Sequence, residues 1–368
     1  VAAVEALAPG GRATLVLPTS ILAARDAAGC RAAVAAAADL TDMWVATESV
    51  FDADVDVWAP VLMKRGGSAP DARPVRRWRG LDFAALPDAP QTSVAGSAWH
   101  RNPGASWSPL ALTALGVPDP AMRSSGTIID IATTSAAFRD EYYGLVEHVR
   151  EGPEVSGAEP WVSLTTDLSP LITSGLIDPG RCRWGSRPAR FARQRFDRPV
   201  VDIESLRMAG GPAANWVDAT AGPKVVVATQ TRVGEAAVDE QGSWVSCTPT
   251  VVVRLRLADQ ADQADQADQA DHAELGTLWK VAAVICSPVG TVSALAATAG
   301  SARSGDAIRQ SASSVAGLPL PRDHDAWAEG ASALRAHDLD RFVTAMAAAY
   351  GVDEPSELNE WWAARVPW

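Results

Sequence analysis

The chain has 368 residues, of which 47% are apolar and 21% charged, values that are ordinary for globular proteins and argue against disorder throughout. Its formal net charge is −12, and its four cysteines lie far apart without a C-x-x-C pair, which argues against a zinc site and a disulfide framework. No apolar run reaches the roughly 20 residues of a membrane span, and the first residues do not form a secretory signal, so we expect a cytoplasmic protein with no membrane partner.

The first part of the chain has the hydrophobic pattern of an α/β sheet, with short apolar runs bounded by Pro and Gly. In chain order the predicted elements are the last turns of a helix (Val1–Leu7), a buried parallel strand (Arg12–Leu17), a helix capped by Ser20 and running to about Ala38, and two strands of an antiparallel hairpin (Leu40–Ala46 and Asp56–Met63). Because the chain opens in the last turns of a helix, we expect a fragment or a misplaced start.

The composition changes after the hairpin. Gly66–Ser108 is rich in Pro, Gly, Ser and Arg, which predicts a linker or irregular connection. A mixed region follows, and then apolar residues at helical spacing predict a helical cap over Asp323–Trp362. The mixed region has strand candidates at Thr127–Ala132, Lys224–Thr229, Glu235–Val238, Trp244–Ser246 and Thr250–Leu257, and helix candidates at Ala273–Ser287 and Val289–Ala299. The resulting boundaries are residues 1–64, 65–124, 125–321 and 322–368.

Positive charge is concentrated in two short stretches, although the chain as a whole is acidic. Lys64–Arg79 contains six basic residues and one aspartate, and Arg181–Arg198 contains seven arginines and one aspartate. Ala258–His272, four Ala-Asp-Gln triplets and one Ala-Asp-His, carries part of the opposing charge, and we interpret it as a solvated low-complexity loop. Since DNA binding depends largely on neutralised phosphates, the local excess matters more than the net charge.

The arginine run is the first candidate for contact with DNA. Guanidinium groups bind phosphates and can read guanine through paired hydrogen bonds, while the interleaved aromatic rings either stack or anchor the segment. The alternative is a solvated basic face that DNA never touches. The residues that we expect to contact DNA are Arg181, Arg183, Arg187, Arg190, Arg193 and Arg195, with Lys224, Arg232, Arg76 and Arg77 as further candidates.

Several common catalytic signatures are absent from the sequence. It contains no G-x-S-x-G elbow, no P-loop, no H-E-x-x-H and no G-x-G-x-x-G, which argues against the common hydrolase, nucleotide-binding and zinc-peptidase classes. The five histidines share no metal-ligand spacing, so we expect no metal site.

Two segments near the start carry a resemblance to a known family. Glu5–Leu22 resembles the "L-x-P-G-G-x-x-x-x-V-x-P-x-x-x-L" stretch that follows the catalytic loop of adenine-specific DNA N6-methyltransferases. Leu40–Met63, with Ser49-Val50-Phe51 and an apolar strand after it, resembles the next motif of that family. In that motif an aromatic side chain stacks on the flipped adenine, and the resemblance gives this role to Phe51. An enzyme that modifies the exocyclic amine cannot reach it inside a stacked duplex, so it extrudes the base and needs a flat apolar face to hold it. The alternative is that Phe51 packs in the core.

Later segments resemble the target-recognition region of type IIG and related restriction-modification methyltransferases. The matching stretches occur in the family's order and are Pro170–Gly180, Gly222–Arg232, Ala237–Ser246, Leu278–Ser287 and Gly317–Pro321. Ala137–Gly144 lies where the family has a small-residue turn with an aromatic residue. The resemblance implies an α/β fold class: the C-terminal part of a Rossmann-like methyltransferase sheet (1–64), a connection (65–124), a mixed α+β DNA target-recognition domain (125–321) and a small helical C-terminal cap (322–368).

The sequence also departs from the family. The Asn/Asp-Pro-Pro-Tyr/Phe loop and the acidic, Gly-rich S-adenosylmethionine motif are absent, and Asn102-Pro103-Gly104 does not replace the loop. We therefore expect S-adenosylmethionine to be bound mainly by residues outside this chain, and the chain to be inactive alone.

The function that the resemblance implies is site-specific adenine-N6 methylation of double-stranded DNA, with an upstream methyltransferase segment or a restriction subunit as a further partner. The alternatives are a non-catalytic DNA-binding specificity module or decayed remnant, and a methyltransferase-like fold that acts on something other than DNA.

Overall fold

The computed structural model describes residues 1–52, 55–67, 75–86, 106–155, 161, 164–165, 167–256, 267–298 and 307–367. The chain forms two compact units, one of Val1–Asp119 with Leu295–Arg309 and the other of Pro120–Ala294 with Gln310–Trp368. Residues 65–119 fall in the first unit and residues 322–368 in the second, and the four expected parts stay a prediction.

The described residues form short strands and helices throughout. The strands are β1 (Arg12–Thr14), β2 (Leu17–Pro18), β3 (Ala38–Val45), β4 (Val57–Lys64), β5 (Arg76–Arg79), β6 (Ala84–Leu86), β7 (Ser124–Thr127), β8 (Ala132–Ala136), β9 (Val149–Glu151), β10 (Leu168–Ile172), β11 (Ile177–Asp178), β12 (Arg181–Cys182), β13 (Ala189–Phe191), β14 (Gln194–Phe196), β15 (Pro199–Asp202), β16 (Lys224–Ala228), β17 (Gln230–Thr231), β18 (Ala236–Asp239), β19 (Val245–Ser246), β20 (Thr250–Leu255), β21 (Ile308–Arg309) and β22 (Pro319–Pro321). The helices are α1 (Ala2–Glu5), α2 (Ala28–Ala37), α3 (Ser108–Leu112), α4 (Arg139–Leu145), α5 (Ile203–Ala209), α6 (Gly211–Ala219), α7 (Ala267–Cys286), α8 (Pro288–Thr298), α9 (Ala312–Ala316), α10 (His324–Ala336), α11 (Leu339–Tyr350) and α12 (Ser356–Ala363).

The first unit is built on a mixed sheet in the order β1-β4-β3-β5-β6, with β2 also paired to β4. The predicted antiparallel hairpin is confirmed, since β3 and β4 pair antiparallel along most of their length. Met43, Trp58 and Leu62 from this hairpin are buried in the unit's core with Trp107 and Leu110. The strand β5 runs parallel to β3, and the Rossmann-like arrangement stays a prediction.

Two expectations for the start of the chain are wrong. Arg12–Leu17 is not a buried parallel strand, because β1 and β2 both pair antiparallel with β4, and Leu15 and Val16 between them are exposed. The helix capped by Ser20 begins only at Ala28, since two 3-10 turns precede it. The Arg31 guanidinium stabilises these turns by donating to the carbonyl oxygens of Ile21 and Ala24, both at 2.8 Å.

The stretch expected to be an irregular connection contains regular structure. The strands β5 and β6 extend the first sheet, and α3 contributes Leu110 and Ala111 to its core. Residues 68–74 and 87–105, which include Arg73 and the Asn102-Pro103-Gly104 sequence, lie outside the described residues. A composition rich in Pro, Gly and Arg therefore does not exclude short edge strands.

The second unit contains two four-stranded sheets. One has the order β18-β16-β20-β8 and is antiparallel throughout, and the other has the order β19-β10-β15-β9 with β10 and β19 parallel. Every residue of β16 is buried, as suits its three consecutive β-branched valines. The four later strand predictions are confirmed to within two residues. The prediction of a strand over Thr127–Ala132 is wrong. The Asp130 carboxylate accepts from Thr127 N at 2.7 Å and closes a 3-10 turn between β7 and β8.

The predicted helices of the second half are confirmed, with one change at the start of α7. This helix begins at Ala267, so the end of the Ala-Asp-Gln repeat is helical, whereas residues 257–266 lie outside the described part. In the described residues no single helix has both the length and the apolar character of a membrane span, and only Ala273–Cys286 and Pro288–Thr298 together, across a bend of 60°, reach them.

The C-terminal helices have well-formed ends. Asp323 caps α10 by accepting from the amides of Asp325 and Ala326, and α10 ends at His337 with φ of +59°. The Trp327 indole donates to the Lys280 carbonyl of α7 at 2.8 Å. This contact joins α10 to α7 within the second unit.

Candidate nucleic-acid interface

A short two-stranded hairpin carries the exposed part of the arginine run. The strands β13 and β14 pair antiparallel, and Ala192 and Arg193 form the two-residue turn between them. Their φ angles are +49° and +67°, which identifies a turn of type I′, where Asn and Gly are the preferred residues. Placing Ala and Arg in the left-handed region strains the backbone, so contacts elsewhere must hold the turn. We call Ala189–Phe196 the arginine hairpin.

The hairpin is anchored on its inner face. Phe191 is buried and its ring centroid lies 4.8 Å from that of Tyr142. The Tyr142 hydroxyl accepts a hydrogen bond from the amide of Ala192, at 2.9 Å, within the strained turn. The turn is therefore held in place by a side chain from helix α4.

The outer face of the arginine hairpin has three exposed arginines. Arg190 lies directly opposite Arg195 in the strand pairing, and Arg193 is in the turn. Within the described residues none of the three has a carboxylate partner. Like charges directly opposite each other destabilise a strand pair. A bound polyanion would relieve this repulsion, and the pattern is unfavourable for a surface that faces only water.

The other arginines of the run are placed differently. Arg183 and Arg187 both pair with the buried carboxylate of Asp178, at 2.6 and 2.9 Å. Arg198 lies 3.8 Å from Glu151, and Arg181 is exposed on β12. Arg183 and Arg187 therefore neutralise an internal charge, and the sequence run divides into a structural part and an exposed part.

A second carboxyl group, that of Glu235, lies close to the charges of Asp178 and Arg187. Glu235 is buried, and burial, together with the negative charge of Asp178, raises its pKa to about 8 against the lowering effect of Arg187. Glu235 is thus mostly protonated at neutral pH. The two arginines consequently stabilise one carboxylate, Asp178.

The expectation that Lys224 contacts DNA is corrected by its burial. The Lys224 side chain is 0% exposed, and its Nζ donates to Asp239 Oδ2 at 2.7 Å. Burial lowers the pKa of the ammonium group, and the Asp239 carboxylate opposes this effect. An enclosed ammonium cannot touch a phosphate, so Lys224 is a structural residue. Arg232, from the same predicted motif, is exposed.

Arg76 and Arg77 lie on β5 in the first unit rather than on a flexible linker. Arg76 is exposed, pairs with Asp42 at 2.6 Å and has its guanidinium carbon 5.7 Å from the centroid of the Trp78 ring. Arg77 donates to the Thr113 hydroxyl at 2.6 Å. Both side chains therefore have partners within the unit.

Phe51 lies in the segment between β3 and β4, and its side chain is 52% exposed. Within the segment, the Ser49 hydroxyl donates to the Phe51 carbonyl at 2.8 Å. The ring is thus not packed in the core, which was the alternative, and it is available to a flat ligand.

The turn after β5 lies next to this segment and brings residues that the sequence analysis did not single out. The amide of Leu81 donates to the Glu48 carboxylate at 3.4 Å. Leu81 and Phe83 are exposed, and the Phe83 ring centroid lies 5.8 Å from that of Trp44. These residues could not be found from sequence, because β5 was not predicted and its parallel pairing with β3 places both loops at one end of the sheet.

No family model matches the chain, and no curated protein matches it. Among solved structures, the type IIL restriction-modification enzyme MmeI in complex with DNA is similar over 97% of this chain and 49% of its own, with 8% sequence identity and a TM-score of 0.46. The type IIG restriction endonuclease BpuSI is similar over 98% of this chain and 47% of its own, with 9% identity and a TM-score of 0.38. The chain spans about half the length of each of these proteins. A likeness at this level concerns the course of the backbone and carries no inference about function.

Proposed function

We propose that this chain is the DNA-recognition part of an adenine-specific N6-methyltransferase of the restriction-modification type. The observation that carries the proposal is the arginine hairpin, with Arg190, Arg193 and Arg195 exposed, without carboxylate partners among the described residues and held on a strained, anchored turn. Three exposed guanidinium groups on one short hairpin supply the local positive charge that neutralises phosphates of a nucleic-acid backbone.

The methylation half of the proposal rests on the sequence motifs around Phe51. The exposed ring of Phe51 provides the flat apolar face that an extruded adenine needs. S-adenosylmethionine would supply the methyl group, but the sequence lacks the family's cofactor and catalytic-loop motifs, and we assign no residue of this chain to the cofactor. The chain's own contribution is to hold the base and the DNA backbone. Detection of N6-methyladenine in DNA exposed to the complete enzyme and S-adenosylmethionine tests this half, and its absence would favour a non-catalytic DNA-binding module.

The DNA-binding half is tested by the salt dependence of binding. We expect the change of Arg190, Arg193 and Arg195 to Gln to weaken binding to a labelled duplex and to reduce the slope of log K against log salt by about 0.9 for each phosphate that the variant no longer neutralises. Fluorescence anisotropy over a salt series measures both quantities.

The matched control is the change of Arg207, Arg335 and Arg341 to Gln, which alters the net charge equally. These three arginines lie in the same unit and pair with Asp218, Glu240 and Glu329. We expect the control to leave the slope unchanged. Equal slopes for the hairpin variant and the wild type, or equal losses in both variants, would contradict a phosphate-binding hairpin.

A further inference from the structure

Helix α4, which supplies the Tyr142 contact to the arginine hairpin, and the residue before this helix expose two aromatic rings. Phe138 is 72% exposed and Tyr143 is 59% exposed, in a unit whose other aromatic rings are mostly buried or half-buried where they are described. The guanidinium carbon of Arg139 lies 5.4 Å from the centroid of the Tyr143 ring. We call Phe138, Arg139 and Tyr143 the aromatic edge.

The aromatic edge is fixed in place by the backbone beneath it. The amide of Phe138 donates to the Glu141 carboxylate at 3.0 Å, and its carbonyl accepts from the Thr248 hydroxyl at 3.3 Å. Gly144 lies so close to Ala213 of α6 that an added Cβ would approach the Ala213 Cβ to 2.8 Å. The rings are therefore presented on a packed helix, and the exposure is a feature of the fold.

One side chain connects the aromatic edge to the arginine hairpin. Tyr142 packs edge-on against Tyr143, with ring centroids 5.3 Å apart, and it also bonds the turn amide of Ala192. The exposed ring of Tyr143 and the turn that carries Arg193 thus contact the same residue. Tyr142 therefore links the ring of Tyr143 to the turn at the end of the hairpin.

We propose that the aromatic edge stacks on a DNA base that has left the duplex stack, next to phosphates held by the arginine hairpin. The inference rests on the proposed DNA-binding function and extends it to a second element. Surfaces that bind unstacked nucleic acid combine cations that follow the backbone with aromatic rings on which bases lie, and Arg adds a cation–π contribution.

Charge and area favour a nucleic acid over a second protein copy as the occupant. Two aromatic side chains bury at most about 250 Å² each, which falls short of the roughly 800 Å² per partner of a stable protein interface. Asp140 and Glu141 are the acidic groups on α4, and Glu141 is engaged at the helix start. The three arginines of the hairpin outweigh them.

The test compares an intact duplex with the same duplex carrying a short unpaired bulge. On bulged DNA we expect Tyr143→Ala to weaken binding on the order of tenfold, within the range for removal of one base–aromatic stack, and to leave the salt slope unchanged because the same phosphates stay neutralised. Tyr143→Phe keeps the ring and retains wild-type affinity. Met208→Ala is the control, since Met208 is 77% exposed in the same unit.

The outcomes separate this inference from the proposed function. If Tyr143→Ala and the wild type bind bulged DNA with equal affinity while the arginine-dependent salt slope is intact, the stacking role of the aromatic edge is overturned. The proposed phosphate contact of the arginine hairpin is then unaffected. Absence of any salt-dependent binding by the wild type overturns both. A wild-type dimer that dissociates with Tyr143→Ala in sedimentation, without a change in DNA affinity, assigns the surface to a second copy and also overturns the inference.

Discussion

At the scale of single residues, substitution of Phe51 distinguishes an effect on methylation kinetics from an effect on stability. Its ring is 52% exposed, so truncation should change the free energy of unfolding by no more than about 0.5 kcal/mol. In the complete enzyme we expect Phe51→Ala to lower kcat/KM for methylation by roughly tenfold or more, because the alanine cannot stack on the base. Phe51→Tyr keeps a flat ring and should stay near wild type. Unchanged kinetics in the alanine variant, or a large loss of stability, would remove Phe51 from the site.

Individual site residues were only partly predictable from the sequence. The sequence from Arg181 to Arg198 does not show which arginines pair with carboxylates. The ion pairs of Arg183 and Arg187 with Asp178 depend on the chain reversal between β11 and β12. The burial of Lys224 could not be predicted for the same reason, since its ion-pair partner Asp239 lies 15 residues away. Exposure of Arg193 follows from its place in a turn that the sequence did not reveal.

At the scale of elements, the Lys224–Asp239 pair joins β16 to β18. The two residues are directly opposite in the strand pairing, and Asp239 also accepts from the amides of Ser243 and Trp244, at 3.1 and 2.8 Å. The pair therefore holds the start of one strand, the end of the next and the turn that follows.

Removal of the lysine should destabilise these elements without changing DNA binding. We expect Lys224→Met to lower the free energy of unfolding by about 3–5 kcal/mol, because the Asp239 carboxylate is left buried without its counter-charge. Urea denaturation measures this decrease, and the salt slope of DNA binding should stay at the wild-type value. A stable variant with a reduced salt slope would show that Lys224 contacts phosphates after all.

Elements with strong local patterns were predictable, and those that depend on distant contacts were not. The valine-rich β16 and the helices α10 and α11 follow from their own sequences through β-branching, apolar spacing and capping aspartates. In contrast, β1 and β2 are strands only because β4 lies beside them, and the 3-10 turns before α2 are stabilised by Arg31. A single sequence contains no direct signal for such pairings.

At the scale of the whole molecule, the proposed DNA binding requires a locally positive surface on a chain whose net charge is −12. The arginine hairpin supplies three exposed positive charges within eight residues, Ala189–Phe196, while much of the remaining positive charge is already paired with carboxylates in the described residues. Electrostatic attraction should therefore orient the chain on DNA through this hairpin.

The order of segments along the chain was predictable, whereas the contacts that join distant segments were not. Sequence patterns placed the first hairpin, the later strands and the C-terminal helices in the right order. They contain no signal for the contact between Trp327 and the Lys280 carbonyl, which links positions far apart in sequence.

The proposed function requires that DNA binds at the arginine hairpin. Hydrogen–deuterium exchange of the chain, with and without saturating duplex DNA, tests it most directly. We predict slower exchange of the backbone amides in Ala189–Phe196 on DNA binding, and disappearance of that protection when Arg190, Arg193 and Arg195 are changed to Gln. Protection that is absent from the hairpin and found instead at other described segments would contradict the claim.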